Sequence, residues 1–317
     1  MPDVLFIKTS SLGDVIHHMP ALTEARARRP DARFAWVVEE AFAPLVRLHP
    51  ALDLAIPVAA RAWRLAPHRP ATWRNMANFR RVLRAQPFDE IVDTQGLFFK
   101  SALIACYAQG CRHGYDAKSI KERAASWLYD VRHRVEWNQH AVARNRALTA
   151  QALGYVPQGP PDFGLDRARL AGPAAAPYGV LLHATARRDK EWPEADWRML
   201  AATLGASVDL AVPFGTEAER QRAGRIASAT PRARVPEREP LDRVARLIAG
   251  ASFVVGVDTG LLHLAAALGV PLVAVFSATE PALTGPVGAG PIAVLDGMGA
   301  PPSVAEVLDA VRRIGMS

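Results

Sequence analysis

Hydrophobic positions along this chain come in short apolar runs separated by loops and amphipathic stretches. In the first half, runs at residues 4–7 and 34–38, and the end of a run at 90–93, read as strands of a parallel sheet. Helical periodicity follows over 15–28, near 42–48 and over 100–108. Residues 59–84 read as an inserted arginine-rich loop and helix. A Pro- and Gly-rich stretch at 156–173 then interrupts the pattern, and the alternation restarts. Strands are predicted at 178–183, 208–213, 253–257 and 272–276, and helices at 194–204, 217–228, 241–249, 261–268 and 303–314. The fold class is α/β: two Rossmann-like domains facing a central cleft, at 1–155 and 174–317, joined by a linker at 156–173. The final helix has two options, its own domain or a return onto the first.

A length of 317 residues agrees with two domains at roughly 150 residues each. No apolar run approaches the roughly 18 residues that a membrane helix requires. The apolar stretch of four near the N-terminus is too short for a secretory signal, so a cytoplasmic location is expected. Cys106 and Cys111, the two cysteines, read as reduced thiols, since two cannot build a disulfide scaffold or a four-cysteine zinc site.

The net charge of +7 is unevenly placed. Residues 1–155 hold 22 Lys and Arg against 14 Asp and Glu, a balance of +8, and residues 156–317 hold 16 against 17, a balance of −1. Residues 59–84 carry seven arginines and no acid. Such a surface suits a phosphorylated or carboxylated ligand, an anionic lipid or a nucleic acid, and equally a solvated arginine-rich face.

Four loops carry candidate chemistry. Lys8-Thr9-Ser10-Ser11-Leu12-Gly13-Asp14 leaves the first strand and enters the first helix, offering hydroxyls, a glycine for close approach and a carboxylate. Loops at the carboxyl ends of parallel strands are where open α/β sheets bind ligands, although Asp14 equally fits a helix N-cap. Asp258-Thr259-Gly260 joins a Val-rich strand to a helix, a junction suited to a diphosphate. The loop at 183–193 carries Arg187, Arg188 and Lys190 within four positions, enough cation for a diphosphate leaving group or for a plain charged loop. Glu217 and Glu219 in the loop at 213–219 offer carboxylates to ribose hydroxyls, or simply begin a helix.

Taken together, KTSSLGDVIHHMPALTEA, WVVEE, DTQGL, HATARRDKEWP and VDTGLLHLAAAL resemble the lipopolysaccharide heptosyltransferases of glycosyltransferase family 9, nearly end to end, and the type I branch more than type II. The resemblance implies a GT-B fold and an inverting, metal-independent transfer of L-glycero-D-manno-heptose from ADP-heptose to a Kdo sugar of the lipid A inner core. No cofactor or metal is implied. Asp14 is then the general base, and Lys190 assists departure of ADP. Donor contacts fall to Ser10, Ser11, Gly13, Thr185, Lys190, Glu219 (or Glu217), Asp258, Thr259, Gly260 and His263. The polyanionic acceptor falls to Lys8, Arg61, Arg64, Lys121, Arg123, Arg144 and Arg146. The implied protein is a monomer, peripheral on the cytoplasmic face of the inner membrane, with no nucleic-acid partner.

The chain departs from that pattern in places. Ala186 and Arg188 stand where a Thr and an acid are expected, and Lys121 where an Arg is expected. An extra Phe at Phe98-Phe99 shifts the register, which keeps Lys100 out of the expected site. Three rival readings stay open: a type II enzyme extending the first heptose, a nucleotide-sugar epimerase or hydrolase that needs no acceptor, and a non-catalytic nucleic-acid-binding protein. Against the last, no DNA-binding motif is evident and aromatics do not interleave with the arginines.

Overall fold

The computed structural model describes residues 3–173, 176–185, 187–277, 282–297 and 300–315. The chain divides into two units, Met1–Gly164 and Leu165–Ser317. The stretch read as a linker is shared between them, its later part forming a short helix, Arg167–Ala171, in the second unit.

Unit 1 holds strands β1 (Asp3–Ile7), β2 (Arg33–Glu39), β3 (Leu54–Val58), β4 (Pro87–Asp93), β5 (Gln109–Tyr115) and β6 (Val131–His133), in the order β3-β2-β1-β4-β5-β6 and all parallel. Its helices are α1 (Leu12–Arg28), α2 (Ala43–Val46), α3 (Ala60–Leu65), α4 (Pro70–Arg84), α5 (Leu103–Ala105) and α6 (Ala141–Leu153). Leu5, Ile7, Val37, Ile56 and Ile91 form a core with Phe79 and Leu83 of α4, while α1 and α6 pack together beside the sheet. The arginine-rich stretch is therefore two helices, α4 spending Thr72, Phe79 and Leu83 inward and its arginines outward.

Unit 2 repeats the plan with β7 (Tyr178–Leu182), β8 (Asp209–Ala211), β9 (Ala233–Arg234), β10 (Phe253–Val257), β11 (Leu272–Phe276) and β12 (Ile292–Asp296), in the order β12-β11-β10-β7-β8-β9 and again parallel. Its helices are α7 (Arg167–Ala171), α8 (Glu194–Leu204), α9 (Glu217–Ala227), α10 (Leu241–Ala249), α11 (Gly260–Ala267) and α12 (Val304–Gly315). The closing helix α12 packs within unit 2, burying Val304, Val307, Ala310 and Val311 in one core with Trp192, Trp197 and Phe253. The two tryptophan rings meet edge to face at 5.0 Å, and the Trp192 indole N–H donates to Pro302 O at 2.8 Å. Each fully buried large apolar side chain of this kind contributes about 1.5–3 kcal/mol.

Numbered from its own first strand, each sheet has the order 3-2-1-4-5-6. The order reverses between the first and fourth strands, at β1/β4 and at β7/β10. In such sheets ligands bind beyond the carboxyl ends of the strands at that reversal, which is where the motif loops of both units lie.

Candidate functional site

In unit 1 the loop leaving β1 is held to the loop leaving β4. Gln95 Oε1 accepts from the backbone N–H groups of Thr9 at 3.0 Å and Ser10 at 3.2 Å. Gln95 is itself positioned by Asp93, a buried carboxylate that accepts from the N–H groups of Gln95 and Gly96 and from the Tyr129 hydroxyl at 2.6 Å. Gly96 sits at φ +67°, a conformation L side chains rarely adopt, so the turn requires glycine. Burial pushes the Asp93 carboxyl up, against the pull of its hydrogen bonds. DTQGL is thus a brace for the first motif loop, and Gln95 is a positioning residue that sequence reasoning passed over.

Ser11, not Asp14, is the N-cap of α1. Asp14 stands three residues later and its Oδ2 accepts from both the N–H and the hydroxyl of Ser11, at 2.9 Å each, the geometry of a capping box. Gly13 is buried between them. This arrangement fixes the carboxylate at the wall of a cavity of about 1080 Å³, entirely within unit 1. Ser10, Ser11, Arg61, Arg64, Lys100 and Lys121 line the same cavity, with Glu39, Trp63, Trp73 and Tyr107. Glu39 is buried and accepts from the Arg61 N–H at 3.1 Å; burial pushes its carboxyl up.

Lys100 enters the site through the backbone. The N–H groups of Ser101 and Ala102 both donate to Leu97 O, one across four residues and one across five. That widened turn absorbs an additional residue at Phe98-Phe99 and carries Lys100 into the cavity wall.

Four cations expected at the acceptor are placed elsewhere. Lys8 is buried, donating to Thr94 O at 2.9 Å and to Asn145 Oδ1 at 3.5 Å. Burial lowers its pKa, opposed by the charges of Asp14 and Asp93. Arg144 donates to Glu136 O and Ser119 O and stacks over Trp137 and Tyr115. Arg146 pairs with Glu24 at 3.0 Å and donates to Gln158 O and Gly159 O, pinning the end of unit 1 to α1. Arg123 is exposed at the start of a short 3-10 helix, Arg123–Leu128, and is not among the residues lining the cavity. Lys8, Arg144 and Arg146 each have partners inside the unit and are not among the residues lining the cavity, so these contacts are structural.

In unit 2, the loops leaving β7 and β10 are joined across the equivalent reversal. Thr185 Oγ1 donates to Asp258 O at 2.9 Å, and Lys190 Nζ lies 2.6 Å from Asp258 Oδ2. His263 Nε2 lies 3.9 Å from the other carboxylate oxygen. Thr259 is the N-cap of α11 in extended conformation, and Gly260 is its first helical residue. The N-terminus of α11 is the positive end of the helix dipole, and with Lys190 beside it this is a place where negative charge is favoured.

Thr185, Arg188, Glu191, Glu219 and Arg222 line a second cavity of about 570 Å³, within unit 2. Glu219 Oε2 accepts from the N–H groups of Gly215 and Thr216 in a second capping box, whereas Glu217 is held by Arg220 in an exposed pair. Only Glu219 of the two therefore faces the cavity. Arg222, which sequence reasoning missed, donates to Trp192 O and His183 O and pairs with Glu191, tying α9 to the 183–192 loop. His183 is buried beneath it, its pKa lowered to about 4 by burial and by the Arg222 charge. Ala186 lies outside the described residues; Arg188 adds a cation to the cavity where an acid was expected.

Among the described residues, Glu90, Cys111 and His113 have ligand atoms close enough for a metal. His113 already shares hydrogen bonds with Glu90 at 2.6 Å and His133 at 2.8 Å, and none of the three lines the Asp14 cavity. Cys106 and Cys111 are both free thiols.

Residues 76–307 match the model of glycosyltransferase family 9 (heptosyltransferase). The chain is 43% identical over 289 residues to lipopolysaccharide heptosyltransferase 1 of Salmonella typhimurium, covering 90% of this chain and 91% of the relative. It superposes on the E. coli heptosyltransferase WaaC with ADP at a TM-score of 0.92 and 39% identity, covering 99% of this chain and 100% of that one. Against WaaC with ADP-2-deoxy-2-fluoro heptose the TM-score is 0.86 at 38% identity, covering 98% of each chain. The fold is accordingly of the GT-B type.

Proposed function

This chain belongs to glycosyltransferase family 9, the heptosyltransferases, and from that premise we propose that it is a type I lipopolysaccharide heptosyltransferase, moving L-glycero-D-manno-heptose from ADP-heptose to a Kdo sugar of the lipid A inner core. The observation that carries the reading is the Asp14 carboxylate, held by its capping box at the wall of a cavity that Arg61, Arg64, Lys100 and Lys121 also line. A polyanionic acceptor fits the cations, and a base set among them can take the proton of its hydroxyl. The relatives solved with ADP and with an ADP-heptose analogue support the donor.

The transfer is inverting. The acceptor hydroxyl gives its proton to Asp14 as its oxygen forms a bond to the anomeric carbon, and the bond from that carbon to the diphosphate oxygen breaks, its electron pair leaving with ADP. Lys190, Thr185 and the first turn of α11 stabilise the charge that grows on the diphosphate. Glu219 holds the ribose, and Asp258 and His263 orient Lys190. Side chains and the helix terminus supply counter-charge to the diphosphate, in keeping with the metal-independent transfer that the family resemblance implies. Among the described residues no helix is long and apolar enough to cross a membrane. We place the enzyme as a monomer working at the cytoplasmic surface of the inner membrane.

The test is ADP release on mixing the protein with ADP-heptose, with and without Kdo-bearing lipid A, with the lipid product weighed by mass spectrometry. Release that depends on acceptor, with one heptose added, is expected. Release without acceptor would make the protein a hydrolase, and heptose added only to an acceptor already bearing one would make it a type II enzyme.

A further inference from the structure

The rim of the Asp14 cavity exposes large apolar side chains. Leu65, at the end of α3, is 82% exposed, Trp73 in the first turn of α4 is 62% exposed, and Phe99 in the turn after β4 is 81% exposed. Single exposed apolar residues are ordinary, but these share one rim: Trp73 and Phe99 both line the cavity, as do Arg64 and Pro67 on either side of Leu65. The α3–α4 segment also carries seven arginines and no acid. Arg64, Arg69 and Arg74 are exposed beside the apolar side chains. Trp and Leu set among arginines are the composition of a helix that lies in a headgroup layer, with the rings at the lipid boundary and the guanidinium groups on phosphates. A protein partner matching these exposed arginines would need a comparably acidic face, whereas an anionic bilayer supplies that charge at every position.

We propose that this rim, with Leu65, Trp73 and Phe99 entering the headgroup layer and Arg64, Arg69 and Arg74 on its phosphates, is the surface by which the protein docks on an anionic phospholipid membrane. Docking there sets the mouth of the cavity against lipid, so an acceptor anchored by acyl chains presents its sugars to Asp14 without leaving the bilayer. The purpose of docking rests on the transferase reading; the docking itself does not.

The experiment is co-sedimentation of the full-length protein with vesicles of phosphatidylcholine alone and of phosphatidylcholine with an equal part of phosphatidylglycerol, without donor or acceptor. Leu65 does not line the cavity, so Leu65→Glu separates docking from chemistry. Wild-type protein is expected to bind the anionic vesicles at least about 10-fold more tightly than the neutral ones. Leu65→Glu is expected to lose about 10-fold of that binding while keeping wild-type turnover on a deacylated, water-soluble acceptor. Failure of the wild type to bind anionic vesicles, or unchanged binding by Leu65→Glu, would overturn the proposal. So would a dimer in sedimentation velocity that Leu65→Glu dissolves, or tight duplex-DNA binding that outcompetes the vesicles. Docking without heptose transfer would sink the transferase reading alone, and transfer without docking would sink this proposal alone.

Discussion

The ammonium group of Lys190 lies 2.6 Å from the carboxylate of Asp258, with both side chains largely withdrawn from solvent at 18% and 13% exposure. Through this pair the loop after β7 is locked to the start of α11. The pair neutralises a carboxylate that would otherwise face any diphosphate arriving at the helix terminus. In the first unit, Gln95 joins the equivalent loops by hydrogen bonds alone.

Replacing Lys190 by Met should therefore weaken ADP binding by more than the loss of one contact, since Asp258 is left uncompensated beside the anion. A loss of at least about 10-fold in affinity is expected by calorimetry, about 1.4 kcal/mol. The double variant Lys190→Met/Asp258→Asn should bind ADP better than Lys190→Met alone. If the second substitution weakens binding further, the carboxylate is itself a donor ligand rather than a partner of the lysine.

Arg64→Ala should raise the acceptor KM by about 10-fold, flatten its dependence on salt and leave ADP affinity unchanged. Steady-state kinetics at two ionic strengths with a water-soluble acceptor reads this directly. An effect on ADP affinity instead would move the cation to the donor.

Arg146 is assigned to structure, and the prediction is correspondingly different. Arg146→Ala leaves Glu24, only 11% exposed, without its charge partner, at a cost of about 2–3 kcal/mol. The melting temperature should fall by about 4–10 °C, while kcat and KM measured well below it stay close to wild type. A raised acceptor KM with unchanged melting would restore the acceptor role.

Burial holds His49 and His183 at pKa values of about 4. Each is about 6.5 when unfolded, so below that pH the unfolded chain binds protons that the folded chain refuses. Stability is then complete above about pH 6.5 and falls as pH drops towards 4, by up to about 1.4 kcal/mol per pH unit for each histidine. Denaturant melts from pH 7 to 4.5 should show this slope. His183→Gln, at a site where neither ring nitrogen has a hydrogen-bond partner among the described residues, should make it shallower.

Much of this fold is readable from the chain because buried parallel strands are continuous apolar runs. The predicted segments 253–257, 272–276, 194–204 and 241–249 coincide with β10, β11, α8 and α10. Strands towards the sheet margins carry no such signal: β5 (QGCRHGY), next to the edge, and the edge strand β6 (VRH) are built largely from polar and glycine residues, and of the edge strands in unit 2, β9 has two residues and β12 is only half-buried. The loops at the strand ends mark the site for the same topological reason in both units. The destinations of long cations are invisible in sequence: Lys8, Arg144 and Arg146 look like Arg61 and Arg64 until their partners fold around them. Lys100 was hidden differently, by a widened turn that changes the register without changing composition.

Asp14→Asn tests the account most directly, because asparagine retains an oxygen for the Ser11 N–H and removes only the charge and the basicity. With ADP-heptose and Kdo-bearing lipid A, turnover is predicted to fall by about 100-fold or more while ADP affinity and melting temperature stay near wild type. Turnover within a few-fold of wild type in that variant would contradict the assignment of Asp14 as the base, and with it the reading of the cavity as the place where the acceptor is activated.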